Sequence, residues 1–218
     1  MEKQLTAAVE DYLKEIYKLQ ADGTRATTSA LAKRRGVAPA SATAMLGKLA
    51  ALGLVEHERY RGAVLTEKGE KAAVEIVRHH RLLEQYLAES LGLEIDAVHA
   101  EAERLEHYLS EELEARIDKS LGFPTHDPHG HPIPDEELNV EQLEPCRLTS
   151  LAPGEAATIQ RVPDADPDLL RYLASLRLLP GERVEMRSSS PFGGPVTVAV
   201  AGVEHSLARE MADLISVG

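Results

Sequence analysis

The sequence has little of three things, and each shortage excludes a class of protein. Its only cysteine is Cys146, so neither an intramolecular disulfide nor a thiolate metal cluster can form within one chain. No run of about eighteen apolar residues occurs, and the N-terminal residues lack the apolar core of a signal peptide. We therefore expect a cytoplasmic protein without a membrane partner, in which any metal is held by His, Asp and Glu.

Positive charge is scarce overall but concentrated in one place. The formal net charge of −12 argues against nucleic-acid binding, because Lys and Arg contacts to phosphates supply most non-specific affinity. Residues 23–62, however, contain seven basic and two acidic residues, whereas residues 84–118 contain eleven acidic and two basic ones. This asymmetry predicts two roles on one chain, with one part meeting an anion and another holding cations.

The first third has the order of a winged helix-turn-helix. Apolar residues at helical spacing predict a helix over residues 10–20, and Ser29 is predicted to cap a second helix that ends at Arg35. A third helix is predicted from Pro39 to Leu52, and the short β-prone runs 54–55 and 63–65 then flank a charged tip, as in a two-stranded wing. We therefore predict a DNA-binding domain over residues 1–73.

The rest of the chain divides into a helical and a β-rich part. A helical pattern continues to about residue 121, with a break at residues 92–96, and proline and glycine then cluster over residues 122–154. Short β-prone segments with one helical insert follow, which favours a small β-barrel. We predict a mainly α fold with domain boundaries at 1–73, 74–145 and 146–218.

The third helix is the predicted recognition helix, because the second helix of a helix-turn-helix enters the major groove. Its small side chains permit close approach but offer little direct readout, so we expect considerable readout of DNA shape. Basic residues before, within and after it are placed for phosphates or the minor groove. The predicted DNA-contacting residues are Lys33, Arg34, Arg35, Pro39, Ala40, Ser41, Thr43, Lys48, Arg59 and Arg61.

The acidic middle contains histidines and carboxylates at helical spacing. His80 and Glu84 lie four residues apart, and His99, Glu103 and the pair Glu106 and His107 follow at spacings of four, three and one. Donors without sulfur suit manganese, iron(II), cobalt or zinc. Spacing alone leaves open that these are acid-rich solvated helices with chance histidines.

The motifs EDYLKEIY, YRGAVLTEKG, HHRLLEQYLAESLGLEIDAVHAEAERLEHYLSEELEARI and DPHGHPIP together resemble the iron- and manganese-dependent repressor family of the diphtheria toxin repressor and manganese transport regulator type. The resemblance is strong over about residues 5–135, and the tail resembles an SH3-like FeoA-type domain. It implies a homodimer that binds a palindromic operator in double-stranded DNA when metal is bound. It also implies a helical dimerisation domain and, in most cases, repression of metal-uptake genes.

Carried over by residue, the resemblance assigns one metal site to Asp11, His80, Glu103, Glu106 and His107. It assigns an ancillary site to His80, Glu84 and His99, with help from the C-terminal domain, where Asp164 and, less directly, Asp166 or Asp168 are the matching donors. His80 thus has two possible memberships. An acidic turn around Pro163 and Pro167 is the alternative reading of the last three residues.

Two positions discriminate the metal. Iron-type members have Met and Cys where this chain has Asp11 and Glu103, and hard oxygen donors favour manganese. However, manganese-type members have a second carboxylate where this chain has Lys14, and the long tail is an iron-type feature. We therefore rank Mn(II) first and Fe(II) second, with Co(II) or Zn(II) possible in vitro.

Other features receive simpler interpretations. The loop histidines His126, His129 and His131 are interpreted as structural, because the family has a similar PHG-x-PIP loop, and Cys146 as a linker thiol. Metal is expected to set the angle between the two DNA-binding heads by relieving carboxylate repulsion. The alternatives are a winged-helix regulator of a small organic ligand and a metallohydrolase. We expect no enzymatic activity, since no separate substrate pocket or nucleophile is evident.

Overall fold

A computed structural model describes residues 5–21, 23–58, 62–141 and 146–218. The chain forms two compact units. The first contains residues 1–79, 106–109 and 134–139, and the second contains residues 80–105, 110–133 and 140–218. Each unit is therefore described separately.

The first unit begins with three helices and a β-hairpin. Helix α1 spans Ala7–Ala21, α2 spans Thr28–Arg35 and α3 spans Pro39–Ala51, followed by β1 (Val55–Glu58) and β2 (Gly62–Leu65), which pair antiparallel. The prediction of this order is confirmed. The predicted cap is wrong, because the Thr27 hydroxyl accepts the Ala30 N–H at 3.2 Å and Ser29 lies inside the helix.

One apolar core fixes the helix-turn-helix. Leu13 and Ile16 of α1 pack with Leu31 of α2 and with Leu46 and Leu49 of α3, and all five are fully buried. Their spacing on each helix follows the 3.6-residue period that buries one face. The opposite face of α3 is thereby left for solvent or for a ligand.

The hairpin is joined to this core at Gly62. Its φ is +89°, and a Cβ placed there would lie 2.8 Å from the Ala26 carbonyl oxygen. Only glycine tolerates both that backbone conformation and that approach. The hairpin is thus held against the segment before α2, where Ala26 and Ala63 form a bridge.

Three further helices carry the acidic region. Helix α4 spans Glu67–Glu89, α5 spans Ile95–Leu105 and α6 spans Glu111–Ser120, with a 3-10 turn at Glu106–Tyr108. The Thr66 hydroxyl accepts the Gly69 N–H at the start of α4. Ser110 similarly caps α6 by accepting the Leu113 N–H. The break predicted at residues 92–96 separates α4 from α5.

The C-terminal part of the second unit is a six-stranded antiparallel sheet. Its strands are β3 (Cys146–Arg147), β4 (Ala156–Arg161), β5 (Arg183–Ser189), β6 (Val196–Val200), β7 (Val203–Leu207) and β8 (Ser216–Val217), in the order β3-β8-β4-β5-β6-β7. Helix α7 (Pro167–Ser175) follows β4, and α8 (Arg209–Ala212) precedes β8. The buried side chains of β4 to β8 and of α7 form a second apolar core. The β-rich tail with a helical insert is therefore confirmed.

Helix α7 also packs against α5. Arg171 of α7 contributes to this contact by donating to the Asp96 carboxylate of α5 at 2.7 Å. This packing brings the segment before α7 close to the donors on α5. Among the residues that the structure describes, no helix is both long and apolar enough to cross a bilayer.

Candidate metal sites and DNA-binding surface

The first unit brings three predicted metal donors together, here called the Asp11 group: Asp11, Glu106 and His107. Asp11 lies on α1, and Glu106 and His107 lie on the 3-10 turn after α5. The His107 Nε2 lies 3.0 Å from Asp11 Oδ1 and 3.5 Å from Glu106 Oε1. One ligand atom from each residue lies within 4.8 Å of the other two. Two carboxylates and one imidazole suit a hard or borderline divalent cation.

Glu10 orients the imidazole of this group. Its Oε2 lies 2.7 Å from His107 Nδ1, on the opposite side of the ring from Asp11. A proton on Nδ1 that is donated to Glu10 leaves Nε2 available as a ligand, as carboxylate partners do for metal-bound histidines. The sequence analysis missed Glu10, because it lies beside Asp11 in a helix rich in charged residues and its spacing carries no distinctive signal.

Lys14 contacts the same group from one turn along α1. Its Nζ lies 2.5 Å from Glu106 Oε1, and both side chains are fully buried. A buried ion pair is costly to break, because the remaining charge is then left without compensation. The predicted effect of Lys14 on local charge thus has a definite contact, which is an ammonium held on a candidate metal ligand.

Arg35 connects the Asp11 group to the helix-turn-helix. It is the last residue of α2, and its Nη2 lies 2.5 Å from Asp11 Oδ2, with its side chain 28% exposed. Arg34 beside it makes a longer contact of 3.5 Å with Glu15. The metal-free carboxylates therefore have cationic partners, and mutual repulsion alone does not describe them.

The second unit brings together the Glu84 group: His80, Glu84, His99, Glu103 and Asp164. Glu84 Oε1 lies 2.9 Å from both His80 Nε2 and His99 Nδ1, and the two nitrogens are 3.1 Å apart. Ligands about 2.1 Å from a common ion at right angles are separated by about 3 Å. The three donors thus already have the spacing of a metal coordination sphere, and the residues fit a divalent cation.

Glu103 and Asp164 lie at the edge of this group. Glu103 Oε1 lies 3.9 Å from His80 and also 3.9 Å from His99, and Asp164 Oδ2 lies 4.0 Å from His99. The two alternatives to Asp164 have other contacts, because Asp166 caps α7 and Asp168 pairs with Arg171. Of the three candidates, Asp164 is the one that faces the histidines.

Charge on the neighbouring histidines controls Glu84. Burial acts to raise the pKa of this carboxyl, but the positive charge of His80 and interactions with His129, His80 and His99 hold the pKa well below its usual range. Burial similarly opposes protonation of His129, yet Glu84, Asp127 and the Ile95 carbonyl raise the pKa of His129 to about 9. His129 is a neighbour of the site that sequence reasoning did not assign to it.

The residues assigned by resemblance to one site are divided between the two units. Asp11, Glu106 and His107 lie in the first unit, and His80 and Glu103 lie in the second. The membership of His80 and Glu103 in the Asp11 site remains a prediction. Their contacts within the second unit place both of them with Glu84 and His99.

The recognition helix presents its predicted residues to solvent. Pro39, Ala40, Ser41, Thr43 and Lys48 are exposed on α3, while Ala42, Leu46 and Leu49 are buried beneath them. The Thr43 hydroxyl donates to the Pro39 carbonyl at 3.0 Å.

The predicted basic residues differ in their availability to DNA. Lys33 and Arg34 are exposed at the end of α2, and Arg35 is partly buried against Asp11. Arg59 and Arg61, at the predicted wing tip, lie outside the described residues.

These features define a class of protein: a winged helix-turn-helix with carboxylate and histidine clusters suited to divalent cations. Three family models match successive parts of the chain. They are the iron dependent repressor N-terminal DNA binding domain over residues 4–63, the iron dependent repressor metal binding and dimerisation domain over residues 66–135, and the FeoA domain over residues 146–218.

Individual relatives agree with these matches. The chain is 32% identical to the iron-dependent repressor IdeR of Mycobacterium tuberculosis, over 98% of both chains. A solved manganese-dependent transcriptional repressor in complex with manganese is 39% identical, with a TM-score of 0.87 over 96% of this chain and 98% of that one. The solved T. acidophilum IdeR is 32% identical, with a TM-score of 0.78 over 99% and 98%.

The chain therefore belongs to the iron-dependent repressor family, and it is a metal-dependent, DNA-binding transcription repressor. The resemblance predicted from its motifs is confirmed. A regulator that responds to a small organic ligand without metal is not favoured by these relatives.

Proposed function

We propose that this repressor senses Mn(II), with Fe(II) as the second candidate. The observation that carries the proposal is the donor set of the Asp11 group, in which two carboxylates and one imidazole converge without sulfur. Cys146 is exposed, and its Sγ contacts Ser150 at 2.9 Å. The FeoA-matching tail and the name of the mycobacterial relative favour iron(II).

Two sites are proposed. Asp11, Glu106 and His107 hold the cation of the first, with His80 and Glu103 as the further ligands that family resemblance assigns. His80, Glu84, His99, Glu103 and Asp164 hold the cation of the ancillary site. The bound cation supplies positive charge to carboxylates that are otherwise paired with protein cations. Lys14, on Glu106, argues for a single cation beside Asp11 rather than a closely spaced pair.

The link from metal to DNA runs through Arg35. In the metal-free chain this guanidinium is held on Asp11 at 2.5 Å, at the end of the first helix of the helix-turn-helix. When Asp11 binds a cation, Arg35 loses the exclusive use of this carboxylate and becomes available to a DNA phosphate. Asp11 and Arg35 thus make metal occupancy and DNA affinity interdependent, as thermodynamic linkage requires.

We further propose a homodimer on a palindromic operator, with domains over residues 1–73, 74–145 and 146–218 and an SH3-like fold for the last. The exposed recognition-helix residues support contact with a major groove, and two-fold symmetry places recognition helices about 34 Å apart. Several exposed apolar side chains in the middle third support a dimer interface: Leu105, Tyr108, Leu113 and Phe123.

Footprinting with Mn(II), Fe(II), Co(II), Zn(II) and a chelator tests the function. We expect protection of a palindrome that requires metal and that is lost in His107→Ala and in Glu103→Ala. Asp11→Met combined with Glu103→Cys should shift the preference towards Fe(II) or Zn(II). Equal protection by wild type with metal and with chelator would refute metal sensing, and unchanged selectivity in the double variant would refute the hard-donor argument.

A further inference from the structure

The loop DPHGHPIP folds tightly around Asp127. The Asp127 Oδ1 accepts the backbone N–H groups of His129 and His131, each at 2.9 Å. Gly130 has a φ of +88°, and a Cβ there would lie 1.8 Å from the Gln160 carbonyl oxygen. The loop therefore packs against β4 in one conformation, and its side chains are positioned before any ligand arrives.

The buried side-chain nitrogen and oxygen atoms that lack a hydrogen bond are concentrated at this loop. Within the described ranges they are Glu84 Oε2, Asp127 Oδ2, His129 Nδ1 and His131 Nδ1. His131 Nδ1 lies 3.4 Å from Asp127 Oδ2, and His129 Nδ1 lies 3.6 Å from Glu84 Oε2. Buried polar atoms are almost always satisfied, so a cluster of four at one place indicates a ligand that they share.

The tautomer of His129 is set by the backbone. Its Nε2 lies 3.0 Å from the Ile95 carbonyl oxygen, which can only accept, so Nε2 carries the proton. In the neutral ring the lone pair is then on Nδ1, which faces the cluster. Metal-binding histidines are fixed by a backbone carbonyl in the same way.

We propose that Asp127, His129 and His131 form a third divalent-cation site, with Glu84 Oε2 as a fourth donor. Two imidazoles and two carboxylates suit a borderline cation such as Zn(II) or Co(II). One ligand atom from each loop residue lies within 4.8 Å of the other two. Ligands about 2.1 Å from an ion are at most about 4.2 Å apart, so side-chain shifts below 1 Å, roughly, complete the site.

Charge and access agree with a site of moderate affinity. The Arg81 Nε lies 4.0 Å from Asp127 Oδ2, and this positive charge opposes a cation. The Glu84 carboxylate offsets that charge, because its Oε2 faces the loop while its Oε1 faces His80 and His99. The His131 side chain is 18% exposed and provides the route from solvent.

Glu84 also connects this site with the ancillary site. A cation on Oε2 orients the carboxylate and changes the donor strength of Oε1. Occupancy of the loop site therefore alters affinity at His80 and His99. This coupling rests on the proposed function, whereas the loop site itself does not.

Equilibrium dialysis of the full chain against Zn(II), with metal counted by mass spectrometry, tests the proposal. His131→Asn removes one donor and keeps a polar side chain, and Asp127→Asn keeps the Oδ1 acceptor for the two backbone N–H groups. His126→Asn is the matched control, because His126 contacts Thr125 and lies outside the cluster. We expect both test variants to bind one Zn(II) fewer per chain than wild type, and the control to match wild type.

Cobalt absorption separates this proposal from the proposed function. We expect an intense visible Co(II) band in wild type and in the control that weakens in His131→Asn. Equal zinc stoichiometry in wild type and in both test variants would overturn the third site, as would an equal loss in His126→Asn. If DNA binding showed no metal dependence while the stoichiometric difference persisted, the proposed function would fail and the third site would stand.

Discussion

Replacing Lys14 by methionine tests how the metal-free Asp11 group is stabilised. The substitution keeps an unbranched side chain in the core and removes the ammonium that lies 2.5 Å from Glu106 Oε1. Both side chains are fully buried, so the Glu106 carboxylate loses a cation that solvent cannot replace. Removing one partner of a buried pair costs about 3–5 kcal/mol, a large share of a typical domain stability of about 5–15 kcal/mol.

The cost should depend on metal. In chelator, Lys14→Met leaves Glu106 charged and buried, and the full loss of about 3–5 kcal/mol is expected. In saturating Mn(II), the bound cation faces Glu106 and replaces the missing charge, so the loss should be much smaller. Manganese should therefore raise the free energy of unfolding more in the variant than in wild type. Urea unfolding followed by circular dichroism, with chelator and with Mn(II), measures both quantities.

Two controls make this result specific. Glu106→Gln added to Lys14→Met removes the uncompensated carboxylate and should recover stability in chelator. Lys71→Met removes an exposed ammonium that pairs with exposed Glu67 and should change nothing measurable. If Lys14→Met cost the same with chelator and with Mn(II), or if Glu106→Gln restored nothing, Lys14 would not be compensating Glu106.

Two further predictions concern the path from metal to DNA. Arg35→Gln removes the contact on Asp11 and should tighten Mn(II) binding up to about fivefold in calorimetry while weakening metal-saturated DNA binding; Arg34→Gln, which removes the contact with Glu15, should not tighten it. Lys48→Ala should weaken operator and random DNA alike and reduce the salt slope of log K by about 0.9 per phosphate contact in anisotropy titrations, and an unchanged slope would exclude Lys48 from the phosphate contacts.

Periodicity predicted most helices of this fold but not its shorter strands. Helices α1 and α3 carry apolar residues at helical spacing, and their buried faces form the core of the helix-turn-helix. Strands β3 and β8 contain two residues each, which is too short for any period. Strand β7 reads VEHSL, and its Glu204, His205 and Ser206 hide the alternation because the strand is at an edge of the sheet. The capping error at Ser29 arose because Thr27 and Ser29 are equivalent from sequence alone.

The candidate donors were predictable, but their partners were not. His80 and Glu84 are one helical turn apart, so the sequence itself places them on one face. The contact of Lys14 with Glu106 spans 92 positions, and that of Asp11 with Arg35 spans 24. Asp164, Asp166 and Asp168 alternate with other residues in one turn, and only the cap at Asp166 and the pair at Asp168 separate their roles.

These partners change the physical picture of the metal-free repressor. Glu106 is held by Lys14, Asp11 by Arg35, and Glu84 faces His80, His99 and His129. A divalent cation at either proposed site therefore competes with protein cations that already stabilise the carboxylates. Its net affinity is the difference between two favourable interactions. Arg35 makes that difference relevant to DNA, because the cation displaced from Asp11 ends the first helix of the helix-turn-helix, beside the exposed Lys33 and Arg34.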